Sequence, residues 1–164
     1  MDAGTISELL KYGETINLEC KKAESTLPNA IWETYSSFAN TSGGVILLGV
    51  EECVKEKNPE KRFSFTSVKN PIQRIKEFWN TINSNKVSRN ILVDRNVGTC
   101  DINGNIIIWI EVPQADYQYK PVYINEKPLK GNYKRNYEGD YHCTEEEVKA
   151  MLRDASDSGN DGGG

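Results

Sequence analysis

Residues 37–52, SFANTSGGVILLGVEE, join the end of a helix, a turn and an apolar strand. Upstream, apolar side chains at helical spacing predict a helix over residues 28–40, with a proline in its first turn. Ser42-Gly43-Gly44 ends that helix. The unbroken apolar run at residues 45–50 is typical of a strand that is covered on both faces. A helix that leads directly into a buried strand indicates helices packed on a sheet.

The remaining patterns extend this interpretation along the chain. Capping boxes at Thr5/Glu8 and Thr144/Glu147 predict helix starts, and Asn103-Gly104 predicts a tight hairpin turn. We therefore expect an α/β (α+β) fold, a mixed β-sheet with helices packed on it, in one domain of residues 1–153. The polar, glycine-rich residues 154–164 are predicted to form a flexible tail, a linker to a further C-terminal region. Helices are expected at 5–12, 28–40, 70–82 and 144–153, and strands at 15–21, 45–50, 63–65, 91–93, 97–102, 106–112, 121–124 and 133–135.

Composition excludes several classes of protein. The four cysteines are scattered without a CxxC pair, which predicts free thiols and a cytoplasmic protein. A single histidine, His142, lies in a predicted turn, which argues against a Ser–His–Asp triad and rules out a multi-histidine metal centre. The longest apolar run has six residues, far below the roughly 20 that a membrane span needs. The candidate catalytic and binding groups are therefore carboxylates, lysines and arginines.

Charge is unevenly distributed along the chain. The net charge of −4 argues against strong non-specific binding to nucleic acid. However, residues 61–143 contain 13 basic and 8 acidic side chains, and the acidic ends of the chain mask this excess. A basic middle segment favours a nucleic-acid partner.

One candidate site is acidic. Glu19 and Lys21 are two positions apart on a predicted strand and therefore point to the same face. Glu51 and Glu52 follow the buried strand, and Glu14 precedes the first one. If these strands are neighbours, Glu14, Glu19 and one of Glu51 and Glu52 form a three-carboxylate site suited to Mg²⁺ or Mn²⁺. The alternatives are an ordinary Glu19–Lys21 ion pair and a solvated charged loop.

A second candidate site is basic and aromatic. Lysine, arginine and tyrosine alternate between residues 117 and 137, a composition that suits phosphate contacts and base stacking. The alternative is a set of edge strands on which charge prevents aggregation. The predicted nucleic-acid-binding residues are Lys120, Lys130, Tyr133, Lys134 and Arg135.

Several of these motifs together are similar to those of a known family. Glu14-x₄-Glu19-x-Lys21, the block SFANTSGG at 37–44 and LLGVEE at 47–52 resemble the Schlafen-type AlbA-like domain, also called the divergent AAA family. The segments IWIEVP (108–113), KPVY (120–123), YKR (133–135) and GD (139–140) fit the same family. The resemblance covers roughly residues 6–153. It implies an AlbA-like domain, often N-terminal in longer bacterial proteins, and a nucleic-acid partner, DNA or RNA.

The function that this resemblance favours is the DNA-binding domain of a bacterial transcriptional regulator, without a cofactor and without enzymatic activity. An alternative follows from the eukaryotic Schlafen relatives, which include RNA endonucleases built on three acidic residues. Matched motif to motif, those residues fall on Glu14, Glu19 and Glu52, with Lys21 steadying the phosphate and Mg²⁺ or Mn²⁺ as the metal. Here Glu52 stands where the family usually has Asp, and Glu-Cys-Lys replaces Glu-Phe-Lys. A further alternative is a dimerisation or interaction module that forms a homodimer.

Overall fold

The computed structural model describes residues 1–11, 13–14, 17–58 and 61–162, with side chains described as far as residue 157. The helices in these residues are α1 (Ala3–Lys11), α2 (Ile31–Asn40), α3 (Pro71–Ile82) and α4 (Glu145–Gly162). The strands are β1 (Leu18–Lys21), β2 (Gly44–Leu48), β3 (Val50–Glu52), β4 (Phe63–Phe65), β5 (Val97–Ile102), β6 (Asn105–Val112), β7 (Tyr133–Asn136) and β8 (Gly139–His142).

A four-stranded mixed sheet forms the centre of the fold. Its strand order is β1-β2-β6-β5, with β1 parallel to β2 and the other neighbours antiparallel. Two antiparallel hairpins, β3–β4 and β7–β8, flank it. Because side chains alternate along a strand, Ile46 and Leu48 of β2 join the core that holds α2 and α3, whereas Leu47 joins the core on the α1 side. The predicted fold class is confirmed.

Gly49 divides the apolar run that the sequence predicts to be one strand. It lies at φ 93°, in the left-handed region that glycine tolerates, and an added Cβ would approach the Ile106 carbonyl oxygen to 3.1 Å. β2 therefore ends at Leu48, and the chain turns into β3 to pair with β4. This turn carries Glu51 and Glu52 away from the line of β2.

Two of the predicted strands are wrong. Residues 91–93 form a loop, in which the side-chain oxygens of Asn90 and Asn96 accept hydrogen bonds from the backbone N–H groups of Leu92 and Val93. Such local bonds compete with a strand ladder. Residues 121–124 make only the isolated bridges Val87↔Ile124 and Tyr123↔Asn132 in the described part of the chain.

The helix boundaries differ from the predicted ones in their details. The Thr144/Glu147 capping box is present, with backbone-to-side-chain bonds of 3.1 and 2.9 Å. For α1, the Asp2 carboxylate rather than Thr5 is the cap, since it accepts from both the N–H and the hydroxyl of Thr5 at 2.8 Å. α2 begins at Ile31, after a turn closed by the bond from its N–H to the Pro28 carbonyl.

The ends of several other elements also differ. α4 runs to Gly162, across residues for which the composition predicts a flexible tail. The predicted strand over 15–21 begins at Leu18, and residues 15 and 16 lie outside the described residues. His142 lies at the end of β8, a strand that the sequence does not predict, rather than in a turn.

Two further findings concern thiols and membranes. All four cysteines are free, as the sequence predicts. Among the helices of the described chain, none combines the length and the apolar character needed to cross a bilayer.

Candidate functional site

Polar side chains on α2 hold the β7–β8 hairpin in place. The Asn40 amide donates to the carbonyls of Val122 and Tyr133 at 3.0 and 3.1 Å, and its oxygen accepts from the Val122 N–H at 2.8 Å. The Ser36 hydroxyl donates to the Val122 carbonyl at 2.6 Å and accepts from the Tyr133 N–H at 3.1 Å. The helix thus satisfies backbone groups that have no sheet partner. Asn40, which belongs to the motif block at 37–44, therefore has a structural role in holding the β7–β8 hairpin.

Arg135 of β7 lies in the interior, between this hairpin and β1. Its side chain is 0% exposed, with Nη1 2.7 Å from Glu19 Oε2 and 3.0 Å from Asp140 Oδ1. Nη2 donates to the Leu18 carbonyl at 2.9 Å, and the guanidinium lies 5.1 Å from the Phe38 ring centroid. The sequence predicts Arg135 as a phosphate contact, but the structure places its side chain in the interior and not at the surface.

Glu19 has both of its oxygens in ion pairs. Oε2 faces Arg135, and Oε1 lies 3.3 Å from the Nζ of Lys21. Glu19 and Lys21 are therefore side by side, as their spacing on one strand requires. This contact is the ordinary Glu19–Lys21 ion pair that the sequence leaves open as an alternative to a metal site.

Three other carboxylates converge next to this pair. One oxygen from each of Glu14, Glu52 and Glu138 lies within 4.8 Å of the other two. We call these three residues the acidic centre. The structure brings the predicted Glu14 and Glu52 together, and it adds Glu138, from the turn between β7 and β8, which sequence reasoning missed. Glu51 is exposed and lies outside this group.

Glu14 and Glu52, the two less exposed members of the acidic centre, each accept a hydrogen bond from an N–H group. Glu14 Oε1 accepts a hydrogen bond from the Cys20 N–H at 2.9 Å, and Glu52 Oε1 accepts from the Arg62 Nε at 2.7 Å. The Glu52 side chain is only 5% exposed. Its Oε2 is buried and receives no hydrogen bond from an N–H or hydroxyl group of the described residues, but Glu14 and Glu52 share a side-chain hydrogen bond when Glu14 is protonated. A buried carboxylate oxygen of this kind fits a cation, since such oxygens are the ligands that Mg²⁺ and Mn²⁺ prefer.

The electrostatics of the acidic centre disfavour additional negative charge. Burial, and then the charges of Glu19 and Glu52, raise the pKa of Glu14 to about 7, against the hydrogen bond from Cys20. Burial is also the main cause that raises the pKa of the Cys20 thiol, with the neighbouring carboxylates adding to it. This environment disfavours the thiolate, which is the nucleophilic form of cysteine.

Two of the predicted nucleic-acid-binding residues have local partners. The Lys134 Nζ lies 2.9 and 3.1 Å from the two carboxylate oxygens of Glu147, and this contact raises the pKa of Lys134. The Tyr133 ring lies 4.5 Å from the ring of His142, and its hydroxyl donates to Glu33 at 3.4 Å. Both side chains remain half-buried.

The structure places Lys120 and Lys130, and Lys127 of the same basic segment, beside two cations that sequence reasoning missed, Lys86 and Arg89. The backbone of residues 86–88 bonds to that of residues 123–125, with Ser88 N–H 2.8 Å from the Tyr123 carbonyl. Arg89 then lies over the Tyr119 ring, 4.4 Å from its centroid. We define the cationic rim as Lys86, Arg89, Lys120, Lys127 and Lys130.

The cationic rim lacks acidic partners. None of its five members forms an ion pair within the part of the chain that the structure describes. Partial burial lowers the pKa of Lys120. No linear motif links residues 86–89 to residues 120–130, so only the folded chain reveals the rim.

Comparisons with known proteins agree with this fold. A family model described as Schlafen, AlbA_2 matches residues 14–144. A solved structure, the N-terminal domain of a RecG-related protein from Nitrosomonas europaea, is similar with a TM-score of 0.61 and 21% sequence identity. The match covers 86% of this chain and 92% of that one. No curated protein gives a significant match.

Proposed function

This chain belongs to the Schlafen, AlbA_2 family, and on that premise we propose that it is a nucleic-acid-binding domain. The observation that carries the proposal is the cationic rim, in which five lysine and arginine side chains have no acidic partner in the described chain. Cations that are free of internal ion pairs can neutralise phosphates and release counterions.

The Arg89–Tyr119 contact adds a means of holding bases. Arg89 and Tyr119 are both exposed, with Tyr119 43% exposed, and their planar groups lie 4.4 Å apart. Bases stack on tyrosine rings and arginine planes regardless of sequence. The rim thus combines phosphate contacts with a stacking surface, and we expect binding with little sequence preference from this region.

Paired charge removals test this proposal. Lys127→Ala with Lys130→Ala removes two exposed rim cations, and should weaken binding to all nucleic-acid sequences alike by about tenfold or more, as for the loss of phosphate contacts. Lys55→Ala with Lys57→Ala is the matched control, since it removes the same charge from the exposed loop after β3. Fluorescence anisotropy with labelled oligonucleotides measures both. Equal weakening by the two double variants would show that net charge, not the rim, drives binding.

The finer form of the proposal is a DNA-binding domain of a cytoplasmic transcriptional regulator. Its support is the family resemblance of the motifs at 14–21 and 37–52. Double-stranded DNA is therefore the first ligand to titrate, followed by single-stranded DNA and structured RNA. The homodimer stays a prediction.

Metal-dependent cleavage of a phosphodiester is the second candidate. The convergence of Glu14, Glu52 and Glu138, with the Glu52 side chain only 5% exposed, favours it. A divalent cation held there would supply Lewis-acid stabilisation of the charge that develops on the phosphate. The side chain of Lys21, 22% exposed beside the acidic centre, could steady that phosphate.

A nuclease assay tests this second candidate. Glu52→Gln should abolish Mn²⁺-dependent cleavage of RNA, whereas Glu51→Gln, one residue away and outside the acidic centre, should retain it. Cleavage that persists unchanged in Glu52→Gln would exclude the acidic centre as the source of the activity.

A further inference from the structure

We infer that the cleft between residues 89–91 and 113–119 binds one unpaired guanine base of a single-stranded nucleic acid, with Asp116 and Arg89 contacting the edges of that base. This inference rests on the proposed function, nucleic-acid binding, and deepens it. Contacts to phosphates and to ring faces carry little sequence preference, whereas hydrogen bonds to the edges of a base distinguish one base from another. The cleft thus adds a choice of base at one position of the bound strand.

The cleft has a size that suits a single base. Its volume is about 300 Å³, at the lower end of the range for small-molecule pockets, and Ile91 and Ala115 supply apolar lining. Arg89 of the cationic rim and Tyr119, over whose ring it lies, line the same cleft. Because pairing and stacking occupy the bases of a duplex, only an unpaired or extruded base can enter such a recess.

Both sides of the cleft are anchored to α2. The hydroxyl of the fully buried Tyr35 donates to the Arg89 carbonyl at 2.6 Å and accepts from the Ile91 N–H at 3.1 Å. On the other side, the Ala115 N–H donates to the Ala39 carbonyl at 2.8 Å. One helix therefore holds the two segments in place before a ligand binds, which lowers the entropy cost of binding.

Opposite charges line the cleft without pairing. Asp116 and Arg89 are both exposed, and neither forms an ion pair with any residue in the described part of the chain. Asp116 precedes the single turn Tyr117–Tyr119, and its side chain makes no capping hydrogen bond to that turn. Since a carboxylate repels phosphate, the contact that Asp116 can offer beside the cationic rim is to the hydrogen-bond donors of a base.

Guanine matches this pair of charges better than the other bases do. Its Watson–Crick edge presents two adjacent donors, N1–H and the N2 amino group, to the two oxygens of a carboxylate, and its O6 and N7 accept from an arginine. Adenine and thymine place an acceptor beside each donor, which repels one of the carboxylate oxygens. Cytosine presents a single donor group, its N4 amino group. The combination of Asp116 and Arg89 therefore favours guanine.

Fluorescence anisotropy with single-stranded oligonucleotides in EDTA tests the inference. The probes are oligothymidine and the same strand with one central guanine, cytosine or hypoxanthine, the last of which is guanine without its N2 amino group. The wild type should bind the guanine strand about tenfold more tightly than oligothymidine, as for a bidentate contact to a base, with the hypoxanthine strand between them.

Substitution of Asp116 separates recognition of the base from the effect of charge. Asp116→Asn should bring the ratio of affinities for the guanine and hypoxanthine strands close to one. Glu51→Gln, which removes one negative charge outside the cleft, should retain the wild-type ratio. Because the readout is a ratio, a general gain in affinity from the lost negative charge cancels. Asp116 is exposed and caps no helix through its side chain, so the variant keeps the fold.

Four results would overturn the inference. Equal affinity for all strands, or a preference for cytosine, would exclude guanine recognition and leave salt-dependent binding by the cationic rim intact. A guanine preference that persists in Asp116→Asn would exclude Asp116 as its source. Guanosine monophosphate that competes as well as the guanine strand would assign the cleft to free nucleotides. Failure of the wild type to bind any strand or duplex would overturn the proposed function together with this inference.

Discussion

Arg135 contacts β1, β8 and α2 from a completely buried position. Glu19 and Asp140 hold its guanidinium, and Phe38 lies beneath it. The spacing of Glu19 and Lys21 was predictable, because two positions on a strand share a face. The contact between Arg135 and Glu19 was not predictable, because it joins residues that are 116 positions apart. In addition, a basic residue between Lys134 and Asn136 has the sequence context of a surface cation.

Replacing Arg135 should destabilise the domain severely. Arg135→Met leaves the Glu19 and Asp140 carboxylates without their buried cation, which costs about 3–5 kcal/mol for a broken buried pair. Lys134→Met removes only the half-exposed pair with Glu147, and should cost at most about 1 kcal/mol. Urea denaturation followed by circular dichroism measures both. A loss in Arg135→Met no larger than that in Lys134→Met would contradict the buried role.

The raised pKa of Glu14 predicts a pH dependence of stability. Its pKa rises from the usual 4.5 to about 7 on folding, mainly through burial. The folded protein therefore holds this proton more tightly than the unfolded chain, so the stabilisation is complete below pH 4.5 and is lost as the pH rises through 7. Glu14→Gln lacks this contribution. The stability of the wild type relative to Glu14→Gln should fall between about pH 4.5 and 7 and then level off.

Thermal unfolding in EDTA across this pH range measures the difference. Glu51→Gln, which removes an exposed carboxylate from β3, is the control, and its difference from the wild type should not vary in the same way. A flat difference between the wild type and Glu14→Gln from pH 4.5 to 7 would show that Glu14 ionises normally.

At the level of elements, the connection from α2 to β2 depends on a close backbone approach. Gly43 lies at φ 73°, and an added Cβ would be 2.8 Å from the Val112 carbonyl oxygen and 2.9 Å from the Gln114 nitrogen. Gly104, in the β5–β6 hairpin, has φ 87° and nothing within 4 Å of such a Cβ. The two glycines share the left-handed conformation and differ in the space around them.

Alanine at these two positions separates conformational strain from steric clash. Gly104→Ala should cost only the left-handed penalty, about 1–2 kcal/mol. Gly43→Ala should cost about 1–3 kcal/mol more, because the β6 backbone cannot give way as a flexible side chain can. Chemical denaturation of both variants gives the comparison. Equal losses would mean that the α2–β2 connection tolerates a side chain.

The elements that sequence predicts well are those with strong local signals. The helix–turn–strand at α2 and β2 and the β5–β6 hairpin with its Asn103-Gly104 turn both occur where their patterns place them. The break at Gly49 was missed, because it follows from contacts with Ile106 and Ile107 of β6. β8 was missed because its residues, GDYH, form a strand only through pairing with β7.

At the scale of the whole molecule, net charge is a poor guide to binding. The chain carries −4, yet acidic side chains neutralise some cations internally, at Arg135 and Lys134, and leave others unpaired at the cationic rim. Sequence predicted Lys120 and Lys130 from their aromatic neighbours. It could not predict Lys86 and Arg89, because the pairing of residues 86–88 with 123–125 exists only in the fold.

The central claim, nucleic-acid binding through the cationic rim, is tested most directly by titrating the domain with double-stranded DNA at a series of salt concentrations in EDTA. Binding that releases counterions should give a logarithm of the association constant that falls linearly with the logarithm of salt. The slope should be about −0.9 per neutralised phosphate, hence between about −2 and −4.5 for two to five contacts. A folded domain that binds neither DNA nor RNA at low salt, or whose binding is insensitive to salt, would contradict the claim.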